Sequence, residues 1–100
     1  PYPPERFWHH LGRASFVARR SAQAVEAFSR IRRPDHAHHA SLAAALAQMG
    51  DQTAAAAHAR EVLKLEPAFS VEGYLPTLYY KLDSDREHHR EGLVKAGLPE

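Results

Sequence analysis

Histidine is the residue type best able to do chemistry in this chain, which has eight His and no Cys. The segment PDHAHHA, residues 34–40, places three of these histidines within four positions. Imidazole nitrogens bind zinc and transition metals, and they exchange a proton near neutral pH. The segment could therefore be a metal site or a pH-sensitive site, or it could simply begin a helix.

The spacing of these histidines argues against a metal site. His36 and His39 are three residues apart and would share one helix face, whereas adjacent histidines would diverge. A structural zinc site needs about four ligands, and the chain has no Cys to complete such a set. Phosphate-loop, dinucleotide-binding, nucleophile-elbow and zinc-protease motifs are absent from the sequence. We therefore expect no metal ligands, no cofactor and no catalytic residues, and we predict that the histidines are mainly surface residues.

Helices are the elements that must position these residues, because Ala, Arg, Glu, Leu and Gln dominate the sequence and all favour helix. Pro, Gly and capping residues divide the chain into helical segments joined by short links. Short links favour antiparallel helical hairpins. The six predicted segments are about 4–19, 22–33, 36–49, 52–65, 70–80 and 85–96.

The ends of these segments are predicted from capping residues. Pro34 is expected to end the second segment, because it restricts the backbone of the residue before it. Gly50 and Gly97 are expected to end the third and sixth segments in the left-handed conformation. The predicted N-caps are Ser21, Asp35, Asp51, Ser70 and Ser84, the last in a capping box with Glu87.

The first predicted hairpin carries a spaced motif. The sequences WHHLG at residues 8–12 and AVEAF at residues 24–28 give W-x2-L-G followed by A-x3-F twelve residues after the Gly. This pattern resembles the tetratricopeptide repeat, a pair of helices that stacks on neighbouring pairs. Its small residues permit close approach of two helices, and its large residues fill the gap to the next helix. Ser15 stands where the repeat usually has Tyr.

A second copy begins 31 residues later, at HASLAAALAQMG. Leu42 and Ala43 take the positions of Leu11 and Gly12, and Pro67 closes the copy. The usual repeat has about 34 residues, and we expect the missing residues to come from the joint near 32–36. Residues 68–100 are a degenerate third copy that is expected to cover the exposed face of the second.

The resemblance implies an all-α fold. We expect one domain over residues 1–100, a short tetratricopeptide-like array of about six helices. Its repeats would span about 5–34 and 35–67, followed by a degenerate capping hairpin at 68–100. Other arrays of helical hairpins remain open as an alternative.

In tetratricopeptide arrays the first helix of each pair lines a concave groove for extended or helical peptides. The family's carboxylate clamp is not supported here, because its Lys and Asn positions are taken by His9, Arg13 and Ser41. In an alternative that stays open, Phe16 is a core residue and the Ala face packs against another helix of the parent protein. The peptide-groove candidates are Arg6, His9, Arg13, Phe16 and Val17 in repeat one, and Ala40, Ala44 and Gln48 in repeat two.

The C-terminal segment DSDREHHREGLVKAGLPE has a further resemblance. It is similar to the C-terminal segment of bacterial class III adenylate/guanylate cyclases that carry tetratricopeptide repeats. This implies a non-catalytic protein–protein interaction or regulatory module within a larger bacterial signalling protein. The chain begins without Met, and we expect it to be a piece of such a protein. Its partner would be a protein, a peptide, another domain of the parent chain or a second copy in a homodimer.

The net charge of +1 hides an asymmetry along the chain. Residues 1–33 carry seven Arg and two Glu, and residues 34–100 carry six Lys or Arg and ten Asp or Glu. The alternative function is therefore a helical domain that binds nucleic acid through its Arg-rich first third. We expect no nucleic-acid partner, because these arginines would form two separated patches. No apolar run approaches a membrane span, and we expect a cytoplasmic location.

The repeat register assigns a place to PDHAHHA. Pro34 closes the first hairpin, Asp35 caps the next helix, and His39 takes the position of Trp8. We expect His39 to be partly buried against a neighbouring helix, and His36 and His38 to lie near the surface.

Overall fold

The structure, a computed structural model, describes residues 4–100, and this part of the chain contains helices but no strands. The predicted all-α class is confirmed. Six α-helices form, and a 3-10 helix at Leu75–Leu78 follows the fifth. The α-helices are α1 Glu5–Val17, α2 Ser21–Ser29, α3 His36–Met49, α4 Gln52–Leu65, α5 Val71–Tyr74 and α6 Asp83–Lys95.

The bounds of α3 and α4 match the prediction, because both helices carry strong local signals. The Asp35 carboxylate accepts a hydrogen bond from the His38 N–H, and the Asp51 carboxylate accepts one from the Ala54 N–H. Gly50 ends α3 with φ 96°, in the left-handed region that glycine adopts without strain. These contacts satisfy backbone groups that a helix end leaves without partners.

Two predicted N-caps are wrong. Ser21 is the first residue of α2, Arg20 precedes it, and no side chain caps this helix. Ser84 lies inside α6, which begins at Asp83, so the capping box with Glu87 does not form. Asp83 and Asp85 instead place negative charge in the first turn of α6, where the helix dipole favours it.

The second helix is shorter than predicted, since α2 ends at Ser29 rather than near residue 33. The chain leaves the helix here and buries Ile31 in the core. The backbone N–H of Arg32 donates to the Glu5 carboxylate at 2.8 Å, which ties this link to the start of α1. Pro34 therefore lies within the link and does not end the helix.

The fifth helix also departs from the prediction. The Ser70 hydroxyl caps α5 as expected, by accepting from the Gly73 N–H at 3.1 Å. The α-helix ends at Tyr74 and gives way to the 3-10 turn that contains Pro76. Proline has no N–H to donate and its ring crowds the carbonyl four residues earlier, so a longer α-helix is unfavourable.

Consecutive helices pack in pairs, α1 on α2, α2 on α3 and α3 on α4, and α6 packs on α3. Glycines permit two of these approaches. A Cβ atom at Gly12 would collide with the Phe28 ring, and one at Gly92 would lie 2.8 Å from the Ala44 carbonyl oxygen. The core is rich in alanine from α3 and α4, with Phe16, Phe28, Leu75 and Leu93 as larger members. None of the helices in residues 4–100 is long and apolar enough to cross a membrane.

Candidate interaction surface

The face predicted to form the peptide groove is covered by the chain's own C-terminal helix. Ala40 and Ala44 on α3 have no exposed surface, and Phe16 on α1 is 2% exposed. The Phe16 ring lies against the rings of His88 and His89 on α6, with centroids 4.7 and 4.9 Å away. This part of the predicted groove is a helix–helix contact within the chain.

Gln48, at the C-terminal end of the same face, fixes α6 by polar contacts. Its side-chain amide nitrogen donates to the His88 carbonyl oxygen at 2.9 Å and to the Glu91 carboxylate at 3.3 Å. The Lys95 ammonium donates to the Gln48 amide oxygen at 3.2 Å. Gln48 therefore binds a helix, but that helix belongs to the same chain.

Arg13 of α1 and His89 of α6 belong to a cluster of polar and aromatic side chains where α1 contacts the C-terminal segment. The Arg13 guanidinium stacks over the Tyr80 ring at 5.1 Å, and the Tyr80 hydroxyl is hydrogen-bonded to His89 Nδ1 at 2.8 Å. Burial lowers the pKa of His89 to about 3 and raises the pKa of the Tyr80 hydroxyl. His89 is therefore neutral near pH 7.

The other three predicted groove residues are spread along α1. Arg6 is exposed, whereas His9 and Val17 are half-buried. The His9 ring contacts the His38 ring of α3 edge-on, with centroids 5.3 Å apart. Burial lowers the pKa of His9, and the neighbouring His38 and Arg13 lower it further. The structure therefore groups Arg13, Phe16 and Gln48 against the C-terminal segment and leaves Arg6 apart from them.

The PDHAHHA histidines serve as packing and capping groups. His39 stacks on His58 of α4 with Nδ1 atoms 3.0 Å apart, so the prediction of a partly buried His39 is confirmed. His36 and His38 are half-buried, not at the surface. His38 Nδ1 accepts from the Asp35 N–H at 3.2 Å and completes a capping box, and His36 lies near the Phe69 ring. The wider prediction of surface histidines is wrong, because only His10 is exposed.

No group of three or more His, Asp or Glu side chains within residues 4–100 is arranged to hold a metal ion. His39 and His58 bring two imidazole nitrogens together, and their hydrogen bond requires one nitrogen to donate and the other to accept. Burial lowers the pKa of His58, and His39 beside it lowers that pKa further. The pair is therefore a contact between α3 and α4 that favours a neutral His58 ring.

The surface left open lies on the opposite side of α1. Phe7 and Leu11, one helical turn apart, are 48% and 43% exposed. Beside them a groove of about 340 Å³ runs between α1 and α2, and we call it the Trp8 groove. Its apolar floor is Trp8, Leu11 and Ala27, and its polar rim is Ser15, Arg20, Gln23, Glu26 and Arg30.

A second hollow adjoins the Trp8 groove and shares Leu11 with it. It has a volume of about 490 Å³ and is lined by Pro4, Arg6, Phe7, His10 and Leu11. We call the two hollows together the α1 edge. Exposed aromatic and aliphatic side chains rimmed by polar residues are typical of surfaces that bind other macromolecules.

The W-x2-L-G motif does not reveal this groove, because large residues of the repeat pattern are expected to pack against a neighbouring helix, whereas Leu11 is exposed here. The spacing of Phe7 and Leu11, four residues apart, is the sequence signal, because it places two large apolar residues on one side of α1. Which side the rest of the chain covers is a tertiary property.

The chain gives no match in three comparisons with known proteins. No protein-family model matches it. Neither the curated proteins nor the solved structures compared with it gave a match.

Proposed function

We propose that this chain is a non-catalytic protein–protein interaction module of the tetratricopeptide type, and that it binds its partner at the α1 edge. The observation that carries the proposal is the exposed apolar strip of Phe7 and Leu11 beside the Trp8 groove. Among residues 4–100, binding at this edge needs no movement, whereas binding at the face of Ala40 and Ala44 requires removal of α6.

Support for the repeat type comes from the burial of the small residues at the motif positions. Gly12 lies directly under the Phe28 ring, and Ala24, twelve residues after the Gly, has no exposed surface. In the second hairpin, Ala43 and Ala55 occupy the matching positions and are also fully buried. Small residues therefore lie where two helices approach closely in both hairpins, as the repeat pattern requires.

The proposal also includes the kind of larger protein from which this chain comes. The similarity of residues 83–100 to the C-terminal segment of bacterial class III cyclases with tetratricopeptide repeats favours a signalling protein of that kind. In such a protein, this module would bring a partner or another domain to the enzyme and would carry no catalytic groups itself.

The contacts of the arginines weigh against the alternative of nucleic-acid binding. Arg19 pairs with Asp85 at 3.0 Å, and Arg30 pairs with Glu26 at 3.1 Å. Arg13 lies over Tyr80. Arg13, Arg19 and Arg30 are thus engaged within the chain, which leaves fewer cations for a phosphate backbone.

A display selection tests the proposal. A library of helical peptides is selected for binding to the chain, and the enriched peptides are measured against Leu11→Glu and Thr53→Glu. Thr53 is exposed on α4, so this control makes the same charge change away from the α1 edge. We expect Leu11→Glu to weaken binding at least about tenfold, as for a central apolar contact, and Thr53→Glu to leave it unchanged.

Two results would overturn the proposal. One is a selection whose peptides bind both variants as tightly as the original chain, since binding would then lie elsewhere. The other is tight, steeply salt-dependent binding to a DNA duplex, because that would favour the nucleic-acid alternative.

A further inference from the structure

We propose that the partner at the α1 edge is an acidic amphipathic helix, which places its apolar face in the Trp8 groove and its carboxylates beside Arg20 and Arg6. This inference rests on the proposed function and adds the chemistry of the partner. Three features support it: the direction of the groove, the apolar floor, and the charge balance of the rim.

The groove is lined along similar lengths by residues of two neighbouring helices. On α1 it is lined by residues at positions 8, 11 and 15, and on the other side by residues at positions 23 and 27 of α2 and at position 30, directly after α2. Both sets follow a single helix face over seven residues, which corresponds to about 10 Å of helix. A channel between two helices of this length accepts about two turns of a third helix, which is the helix-in-groove mode of recognition.

The floor supplies apolar contact. Trp8 and Leu11 present an aromatic and an aliphatic surface, and Ala27 adds a small apolar residue from α2. The Arg30 guanidinium lies 4.9 Å from the centre of the Trp8 ring and helps to hold it in place. Tryptophan is prominent among the residues that contribute most to binding energy at protein interfaces.

The rim is positively charged. Glu26 of α2 is the one acidic residue that lines the Trp8 groove, and Arg30, directly after α2, pairs with it. Arg20 lines the groove and Arg6 lines the adjoining hollow, and both are exposed. Neither has an ion-pair partner among residues 4–100. These two cations favour carboxylates on the occupant and disfavour a basic helix.

The test uses two synthetic helical peptides with the same apolar face. One carries Glu and the other Lys at the flanking positions, and their dissociation constants are measured by fluorescence anisotropy. We expect the acidic peptide to bind at least about tenfold more tightly at low salt. The difference should shrink at high salt, because exposed charges are screened.

Charge-reversal variants locate the effect. We expect Arg20→Glu to weaken the acidic peptide about three- to tenfold, as for loss and reversal of a rim ion pair. Arg60→Glu, at an exposed position of α4, makes the same change in net charge and should have an effect below about twofold. Equal losses in the two variants would mean that only the net charge matters, and would overturn the inference.

The remaining outcomes separate this inference from the proposed function. If both peptides bind equally and both lose affinity with Leu11→Glu, the module binds at the α1 edge without preference for acid, and the inference is wrong. If neither peptide binds, the inference is also wrong. If the chain instead forms dimers that Leu11→Glu dissociates, the occupant is a second copy. The inference about an acidic helix is then wrong, but the α1 edge is still the binding surface.

Discussion

The two hairpins place small residues at matching positions, but the termini of their helices are stabilised in different ways. In the second hairpin, Asp35 and Asp51 cap α3 and α4 with their side chains, and Gly50 ends α3. In the first hairpin, neither α1 nor α2 has a side-chain cap. Arg19 follows α1 with φ 65°, a conformation that non-glycine residues seldom adopt. The second hairpin is therefore specified more strongly by local signals than the first.

The hairpins also differ in what covers them. The α3 face that carries Ala40 and Ala44 lies beneath α6, and the Gly92 position lets the two backbones approach closely. No helix within residues 4–100 covers Phe7 and Leu11 on the outer side of α1. Small residues on α3 and α6 therefore lie where the chain covers its own surface. Large apolar residues without a covering helix mark the face available to a partner.

Two phenylalanines on α1 give the most direct test of this difference. Phe16 faces α6 and is 2% exposed, whereas Phe7 lies on the α1 edge and is 48% exposed. We expect Phe16→Ala to lower the free energy of unfolding by about 3–5 kcal/mol, because it leaves a cavity under α6. Phe7→Ala should cost less than about 1 kcal/mol. Urea denaturation followed by circular dichroism measures both.

Similar losses for the two variants would contradict the assignment of a covered face and an open edge. A small loss at Phe16 would mean that α6 does not pack there in solution. A large loss at Phe7 would mean that the α1 edge is covered in solution.

The parts of the fold that sequence predicted well are those with local chemical signals. The bounds of α3 and α4 follow from Asp35, Asp51 and Gly50, whose side chain or backbone conformation acts within one helical turn. The close approach at Gly12 follows from the repeat motif. The starts of α2 and α6 were missed, because Ser21 and Ser84 look like caps but lie within the first turn of these helices.

Residues 68–100 were expected to cover the second hairpin, but the sequence did not indicate that α6 would lie on the face of Ala40 and Ala44. Its mean hydropathy is low, and only His89, Gly92 and Leu93 within the helix are buried. A helix with so few buried groups gives no strong periodic signal, although it covers the face predicted for a peptide. The burial of the histidines was missed for a related reason. An imidazole ring fills the space that alanine leaves between helices, as the stacking of His39 on His58 shows.

The pH dependence of stability provides the second test of the covered face. Burial lowers the pKa of His89 from its ordinary 6.5 to about 3. Between these values the unfolded chain binds a proton at His89 and the folded chain does not, so the free energy of unfolding falls as the pH falls. The slope is about 1.4 kcal/mol per pH unit. Acidification from pH 7 to pH 5 should therefore cost about 2 kcal/mol through His89 alone.

A substitution isolates this contribution. His89→Gln removes the titrating ring, so the loss of stability between pH 7 and pH 5 should shrink by about 2 kcal/mol relative to the unsubstituted chain. The loss would not vanish, because the lowered pKa values of His9, His58 and His88 act in the same direction. His10→Gln, at the exposed histidine, is the control. If both variants keep the full pH dependence, His89 is not buried in solution.

Helix caps give the smallest expected effect and bear directly on the contrast between the hairpins. The Asp51 carboxylate accepts from the Ala54 N–H at 3.2 Å at the start of α4, and Ser21 at the start of α2 makes no such bond. We expect Asp51→Ala to lower the free energy of unfolding by about 1 kcal/mol. Ser21→Ala should change it by less than about 0.5 kcal/mol. Thermal denaturation at pH 7 compares the two. A loss at Ser21 as large as that at Asp51 would mean that Ser21 caps α2 in solution. The first hairpin would then depend less on tertiary packing than its structure indicates.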